Sequence, residues 1–244
     1  MILEADVKGL EIVGVALLSK DKVLTEELLN KEDIHFNNQK AFKLSSRLVA
    51  KIFKFRMIYG GTEYGFAKDP AFKGVNEDRD ALEFWKEKKS QYYEKYFGIA
   101  TWHEELLKQA KSKKPIVLPN GRYYTFEPQL DTRFNRWRYP ETNIKNYPVQ
   151  GFSHDLFTAC HIITEEILET NNIPNRIINS VHDSLIFDIP DNEVGLYIEV
   201  LDFASSLVPE YMLVNFQYEM NIPLTLEYKV GKTWGEVEEY KKKC

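Results

Sequence analysis

"VHDSLIFDIP", Val181 to Pro190, decides how this chain is read. Leu185, Phe187 and Ile189 alternate with Ser184, Ile186 and Asp188, the period of two expected of a β-strand with one buried face. The stretch before it, "RIINSV", leans apolar and is also strand-like. His182 and Asp183 therefore fall between two short strands, at the tip of a hairpin. An ionisable pair needs a reason to be there. A carboxylate among apolar strands is costly unless it is hydrogen-bonded, ion-paired or on a metal.

A second carboxylate has the same setting near the start, Asp6 in "LEADVKGLEIVG". Taken singly, each reads as a strand-end Asp satisfied by backbone amides. Taken together they read differently. On neighbouring strands both would project from one sheet edge and repel each other, and a divalent cation becomes their natural partner. Hard oxygen donors favour Mg²⁺, which keeps waters and substrate phosphates in its shell. Two such ions can activate a hydroxyl and stabilise a leaving phosphate oxygen.

A third element lies between them. "SSRLVAKIFKFRMIYGG" predicts a helix capped by Ser45 or Ser46 and ended by Gly60-Gly61. Arg47, Lys51, Phe55 and Tyr59 recur at every fourth residue and so form one slowly drifting stripe. Its cations lie at the helix N-terminus, where the dipole also favours anions. The stripe suits a nucleotide, with a triphosphate on Arg47 and Lys51 and the sugar or base against Phe55 and Tyr59. Taken singly, it reads as an amphipathic helix whose cations lay their stems along its flank.

The remaining chain gives coarser expectations. Residues 2–8 and 10–18 suggest an extended, buried start. "KDKVLTEELLNKEDIHF" is expected to be helical, with Val23, Leu24, Leu28 and Leu29 as its apolar face. Residues 78–114 read as two helices broken near Gly98, and "PIVLPNGRYYTF" as a hairpin around Asn120-Gly121. A long helix is expected after Gly151, another over "EVGLYIEVLDFASSLV", then a last strand and a short helix. Strands at both ends with helices between give an α+β class.

Totals exclude several function classes. A net charge of −5 confines any polyanion site to a local patch. Glu4, Asp6, Lys8 and Glu11 interrupt the apolar N-terminus, so it is neither a signal peptide nor a membrane span. Cys160 and Cys244 have no metal-like spacing and suit a reducing compartment, with Cys160 a core residue. "KQAKSKKP" and the terminal "KKKC" read as solvated faces.

In combination, the three elements resemble the family A DNA polymerases, the DNA polymerase I class. "ADVKGLEIVGVALLSKDKVLTEELLNKEDIHF" is similar to that family's motif A, "RLVAKIFKFRMIYGGTEYGFA" to motif B and "VHDS" to motif C. "YYEKYFGIATWHEELLKQAK", "NGR", "NYPVQG" and a late "VGKTW" also match family segments, in the family's order. The resemblance covers nearly the whole chain, and three motifs in order are specific where any one is not.

The resemblance implies a palm (an antiparallel sheet with packed helices) and a mainly helical fingers subdomain. Palm would occupy 1–35 and 141–244, with the motif C hairpin at 176–189. Fingers would occupy 36–140, with the motif B helix at 46–60. It implies template-directed addition of dNTPs to a primer 3′-hydroxyl. Asp6, Asp183 and the main-chain carbonyl of Val7 would hold two Mg²⁺ ions, with Mn²⁺ able to substitute. Glu11 would be a steric gate against ribose. Arg47, Lys51 and His35 would hold the triphosphate, Lys51 doubling as general acid for pyrophosphate. Phe55 would meet the sugar and, as Phe, discriminate against dideoxynucleotides. Tyr59 and Gly60 would lie by the nascent pair, and Arg122, Asn146, Gln150 and His182 along the primer–template DNA.

The chain also departs from the family. Ser184 stands where a third acidic residue is usual. "HDS" is instead usual in single-subunit, phage-type RNA polymerases, which keeps RNA synthesis as the enzymatic alternative. Glu11 and Phe55 argue for DNA. A non-catalytic DNA-binding subunit is the other alternative, opposed by the intact Asp6, Asp183, Lys51 and Arg47. Val13, Arg56 and Thr142 stand where the family often has Arg, Gly and Arg. Thr142 would weaken a template contact, and Arg56 is a candidate to compensate. Met1 lies five residues before Asp6, so the expectation is palm and fingers without a thumb. A partner chain would then supply thumb and exonuclease-like domains, in the cytoplasm of a bacterial or phage-infected cell.

Overall fold

The computed structural model describes residues 1–76, 79–132 and 135–241, so Cys244 and most of the terminal "KKKC" lie outside the described residues. In chain order, strand β1 (Ile2–Val7) leads into helices α1 (Leu10–Ser19), α2 (Lys22–Leu29), α3 (Ile34–Ala41), α4 (Arg47–Ile58), α5 (Glu63–Lys68), α6 (Ala81–Lys95) and α7 (Phe97–Lys111). Two small hairpins follow, β2 (Ile116–Val117) with β3 (Tyr123–Tyr124) and β4 (Gln129–Asp131) with β5 (Arg136–Arg138). Then come α8 (Glu141–Thr170), β6 (Ile177–Val181), β7 (Ser184–Asp188), α9 (Val194–Phe216), β8 (Leu226–Gly231) and β9 (Glu238–Glu239). The chain is α+β, as expected, and divides into two compact units.

The first unit comprises Met1–Val13 and Gly151–Cys244. Its antiparallel sheet has the order β6-β7-β1-β8-β9, so the N-terminal strand is central, between β7 and β8. Leu3, Ala5 and Val7 alternate inward along β1 and are buried. The second strand of the opening stretch is more enclosed than its alternation implied, because Ile186 is buried as well as Leu185 and Phe187. A strand covered on both faces needs apolar residues on both. Tyr197 of α9 meets the Phe187 ring at 5.7 Å, and Tyr228 of β8 donates to Asp202 at 2.8 Å. Cys160 is core, and burial pushes its thiol up to about 11.

The second unit is Gly14–Gln150 and is mainly helical. Its core is aromatic: Phe53 of α4 lies 5.2 Å from Phe66 and 5.4 Å from Trp85, and Trp85 lies 4.6 Å from Phe72. Asp21 caps α2 through Leu24 N–H and also accepts from the N–H of Gly98 and Ile99. The two helices break at Tyr96, near Gly98 as expected, and a Cβ at Gly98 would stand 2.6 Å from the Asp21 Cα, so that glycine also allows close approach.

Several expectations need correction. Residues 10–18 are helical, not extended: Gly9 turns the chain at φ +59, and a segment buried almost all round shows no helical period. On α2 the buried residues are Leu24 and Glu27, while Val23 and Leu29 are exposed. Glu27 is buried because it is paired, accepting from Lys95 at 2.7 Å and from the Tyr96 hydroxyl at 2.7 Å. Helix α8 begins ten residues before Gly151 and contains Pro148. Pro148 gives up one ladder bond, which the buried Ile144, Val149, Phe152 and Leu156 along the helix offset. The β4–β5 and β9 pairings had no strong alternation to reveal them.

Lys54 of α4 is fully buried, its ammonium 5.6 Å from the Tyr96 ring centroid and without a hydrogen-bond partner among the described residues. Burial pulls its pKa from 10.5 down to about 7, and the nearby Glu27 carboxylate offsets this only in part. The unfolded chain therefore binds more protons than the folded one between about pH 7 and 10.5, so this group makes stability rise with pH across that window. Lys54→Met is expected to raise stability by about 2 kcal/mol at pH 7. The gain over the unmodified chain should shrink towards pH 10 in paired denaturant titrations. A pH-independent difference would contradict this.

Candidate active site

Asp6 and Asp183 come together through strand pairing within the first unit. β1 and β7 run antiparallel, and Asp6 stands directly opposite Ser184. The Val7 N–H donates to the Asp183 carbonyl at 3.1 Å, which ties the hairpin tip to the end of β1. His182 closes the two-residue turn at φ +56, a conformation that histidine adopts more readily than most side chains. It is exposed, and Asp183 and Asp6 are half-buried.

The neighbouring charges act on each other. Burial raises the Asp183 carboxyl above its usual range, and the Asp6 charge raises it further, with a smaller push from Glu11. Glu11 lies in the first turn of α1, half-buried. Among the described residues no three His, Cys, Asp or Glu side chains form a metal-holding group. The donors at this edge are two carboxylates and the Val7 carbonyl. An all-oxygen set with few protein ligands fits a hard cation that retains waters and substrate oxygens. It does not fit a closed structural metal site.

The second unit contains the stripe. Ser46 caps α4 through the Val49 N–H at 3.1 Å, and Arg47 and Lys51 are exposed at its N-terminal end. Phe55 and Tyr59 are half-buried further along, away from the buried Ala50, Phe53 and Met57. Arg47 spends its Nε on Asp33 at 2.7 Å, which leaves the rest of its fork of donors for another acceptor. His35 of α3 lies beside Phe55, ring centroids 6.0 Å apart. Burial, and then the Lys54, Arg47 and Lys51 charges, pull its pKa down to about 4. At neutral pH it is therefore an uncharged hydrogen-bonding group. Gly60 has φ +73 and Gly61 has no room for a side chain, since a Cβ would stand 2.8 Å from the Arg56 carbonyl oxygen.

Arg56 is engaged within the fold. Its guanidinium is ion-paired with Asp69 and lies 5.3 Å from the Phe72 ring centroid, so it braces the α4–α5 region. Arg122 is exposed on the β2–β3 hairpin, where its carbonyl accepts from the Leu118 N–H at 2.7 Å. Asn146 and Gln150 are on the first half of α8, one half-buried and one exposed. The structure thus groups Asp6, Val7, Glu11, His182 and Asp183 in one unit. It groups His35, Arg47, Lys51, Phe55, Tyr59 and Gly60 on α3, α4 and the turn after it in the other, with Arg122 on a separate hairpin.

Residues 1–236 match the DNA polymerase family A. The chain belongs to that family. DNA polymerase I of Bacillus subtilis (strain 168) is 30% identical over 248 residues, which cover 98% of this chain and 26% of that protein. DNA polymerase I of Lactococcus lactis subsp. lactis (strain IL1403) is 27% identical over 248 residues, with the same coverage. The family A chain thus spans about a quarter of the length of the curated relatives it matches. A solved structure, the POL domain of Pol1 from M. smegmatis in complex with DNA primer-template and dNTP, superposes with a TM-score of 0.75 at 22% identity. It covers 97% of this chain and 40% of that one, a likeness of fold. Family A polymerases generally use divalent metal ions. No helix among the described residues of this family A chain is long and apolar enough to cross a membrane.

Sequence reasoning missed one residue of the edge. Ser184 is buried and donates its hydroxyl to Asp6 Oδ1 at 2.6 Å. The strand register that makes this bond joins residues far apart in sequence, and no local pattern signals it.

Proposed function

We propose that this chain carries out template-directed DNA synthesis, adding a dNTP to a primer 3′-hydroxyl. The observation that carries the reading is the adjacency of Asp6 and Asp183 at one end of the β1–β7 ladder, where Asp6 stands opposite Ser184 and the Val7 N–H donates to the Asp183 carbonyl. The first unit is read as palm and the second as fingers. Asp6, Asp183 and the Val7 carbonyl would hold two Mg²⁺ ions, or Mn²⁺ in their place. When bound, the ions lower the pKa of the primer hydroxyl and neutralise charge on the phosphates.

The residues divide the remaining work. Arg47 and Lys51 orient the triphosphate at the positive end of α4, and His35, being neutral, adds a hydrogen bond rather than a charge. The primer oxygen forms a bond to the α-phosphorus as the bond to the β-phosphate bridge breaks. The hydroxyl proton goes to solvent, and Lys51 gives a proton to the departing pyrophosphate. Glu11 would act as a steric gate against ribose, and Phe55 would meet the sugar. Tyr59 and Gly60 lie by the nascent pair. Arg122, Asn146, Gln150 and His182 track the primer–template. Phosphate contacts supply much of DNA affinity, so further duplex grip is expected from surface beyond these residues, on a further segment or a partner chain.

Single-nucleotide extension of a primer–template tests the reading. With Mg²⁺, the dNTP complementary to the template base should be added, and chelation should stop addition. Preference for rNTPs would overturn the DNA reading. Failure to extend a primer that is demonstrably bound would overturn the catalytic one.

A further inference from the structure

The β1–β7 edge holds a polar group that the proposed chemistry leaves unused. Ser184 is the first residue of β7 and is only 8% exposed. Its Oγ donates to Asp6 Oδ1 at 2.6 Å, the short end of the range for a hydroxyl bound to a carboxylate. Antiparallel pairing sets the contact, because Asp6 and Ser184 are directly opposite.

The bond matters because of what surrounds it. Asp6 stands opposite the residue that follows Asp183, and the Val7 N–H holds the Asp183 carbonyl at 3.1 Å, so two neighbouring carboxylates repel when both are ionised. A carboxylate on a strand end can swing about its χ angles to relieve that repulsion. A neutral donor on one oxygen restrains it without adding charge. The second oxygen is then left to face an incoming cation. We infer that Ser184 is a positioning residue: its hydroxyl fixes the Asp6 carboxylate through Oδ1 so that Asp6 meets a divalent cation through Oδ2. The inference rests on the proposed metal-holding role of Asp6 and Asp183. Within it, Ser184 organises the centre before the ion arrives, much as outer-shell donors orient the ligands of other metal sites.

The consequence is measurable without turnover. Mn²⁺ binding to the full chain, without DNA or nucleotide, can be followed by the electron paramagnetic resonance signal of the free ion. Ser184→Ala should weaken binding by about 10-fold. Ser184→Thr, which keeps the hydroxyl at a strand position that tolerates β-branching, should bind within about two-fold of the unmodified chain. Asp6→Ala should abolish specific binding. Thermal melts of each variant report whether the fold is kept. Unchanged or tighter binding by a folded Ser184→Ala, alongside loss in Asp6→Ala, overturns the role of Ser184 and leaves the metal reading standing. Equal weakening by Ala and Thr also overturns it, since the hydroxyl would then not be what counts. Undiminished binding by Asp6→Ala overturns the proposed centre and the inference together.

Discussion

Asp183→Ala is expected to lower the rate of dNTP addition by about 1,000-fold or more while leaving the chain folded. The Asp183 side chain is at a hairpin tip, half-buried, outside the paired residues of the two strands. Its backbone carbonyl, which accepts from Val7, survives the substitution. Its carboxyl is raised by burial and by the Asp6 charge, so its removal relieves repulsion and costs no stability. The catalytic loss is large because metal-supplied charge stabilisation is worth several kcal/mol, and each 1.36 kcal/mol is a factor of ten in rate. Single-turnover incorporation, with a thermal melt as a control, reads both halves. Activity within ten-fold of the unmodified chain would show that this carboxylate does not hold the reacting ion.

The second large effect concerns sugar choice. Glu11→Ala is expected to raise the ratio of kcat/KM for an rNTP over its dNTP by roughly 100-fold. The side chain projects from the first turn of α1, on the segment that follows β1, and lies near enough to Asp183 to raise its carboxyl. On the proposed reading, bulk there would penalise a 2′-hydroxyl while leaving a deoxyribose nearly untouched. Removing the bulk should therefore raise rNTP use much more than it changes dNTP use. Competition between rCTP and dCTP opposite a template guanine measures the ratio. An unchanged ratio would remove Glu11 from the sugar site.

Much of this arrangement was legible in the sequence, and the reasons are local. The His182-Asp183 turn was readable because strand alternation on one side and an apolar run on the other leave only two residues between them. The α4 helix was readable from its serine cap and its closing Gly60-Gly61. The adjacency of Asp6 and Asp183 could be posed only as a condition, because it depends on which strands become neighbours. What stayed hidden was non-local or unperiodic. Helix α1 was misread because it is buried nearly all round, which erases the period of 3.6. The burial of Glu27 was not legible because its partners, Lys95 and Tyr96, are on α6 and just beyond its end. The ion pair of Arg56 with Asp69 could not be foreseen, because it crosses into the segment after α5. Ser184 was read as a departure from the family pattern, while its hydrogen bond is visible only in the folded sheet.

The claim on which everything else rests is that the Asp6–Asp183 edge holds the reacting divalent ions. Anomalous diffraction from crystals grown with primer–template, a non-hydrolysable dNTP and Mn²⁺ tests it most directly. The predicted result is manganese density between the Asp6 and Asp183 carboxylates, in contact with the triphosphate. Manganese bound elsewhere, with that edge empty while the nucleotide is in place, would contradict it.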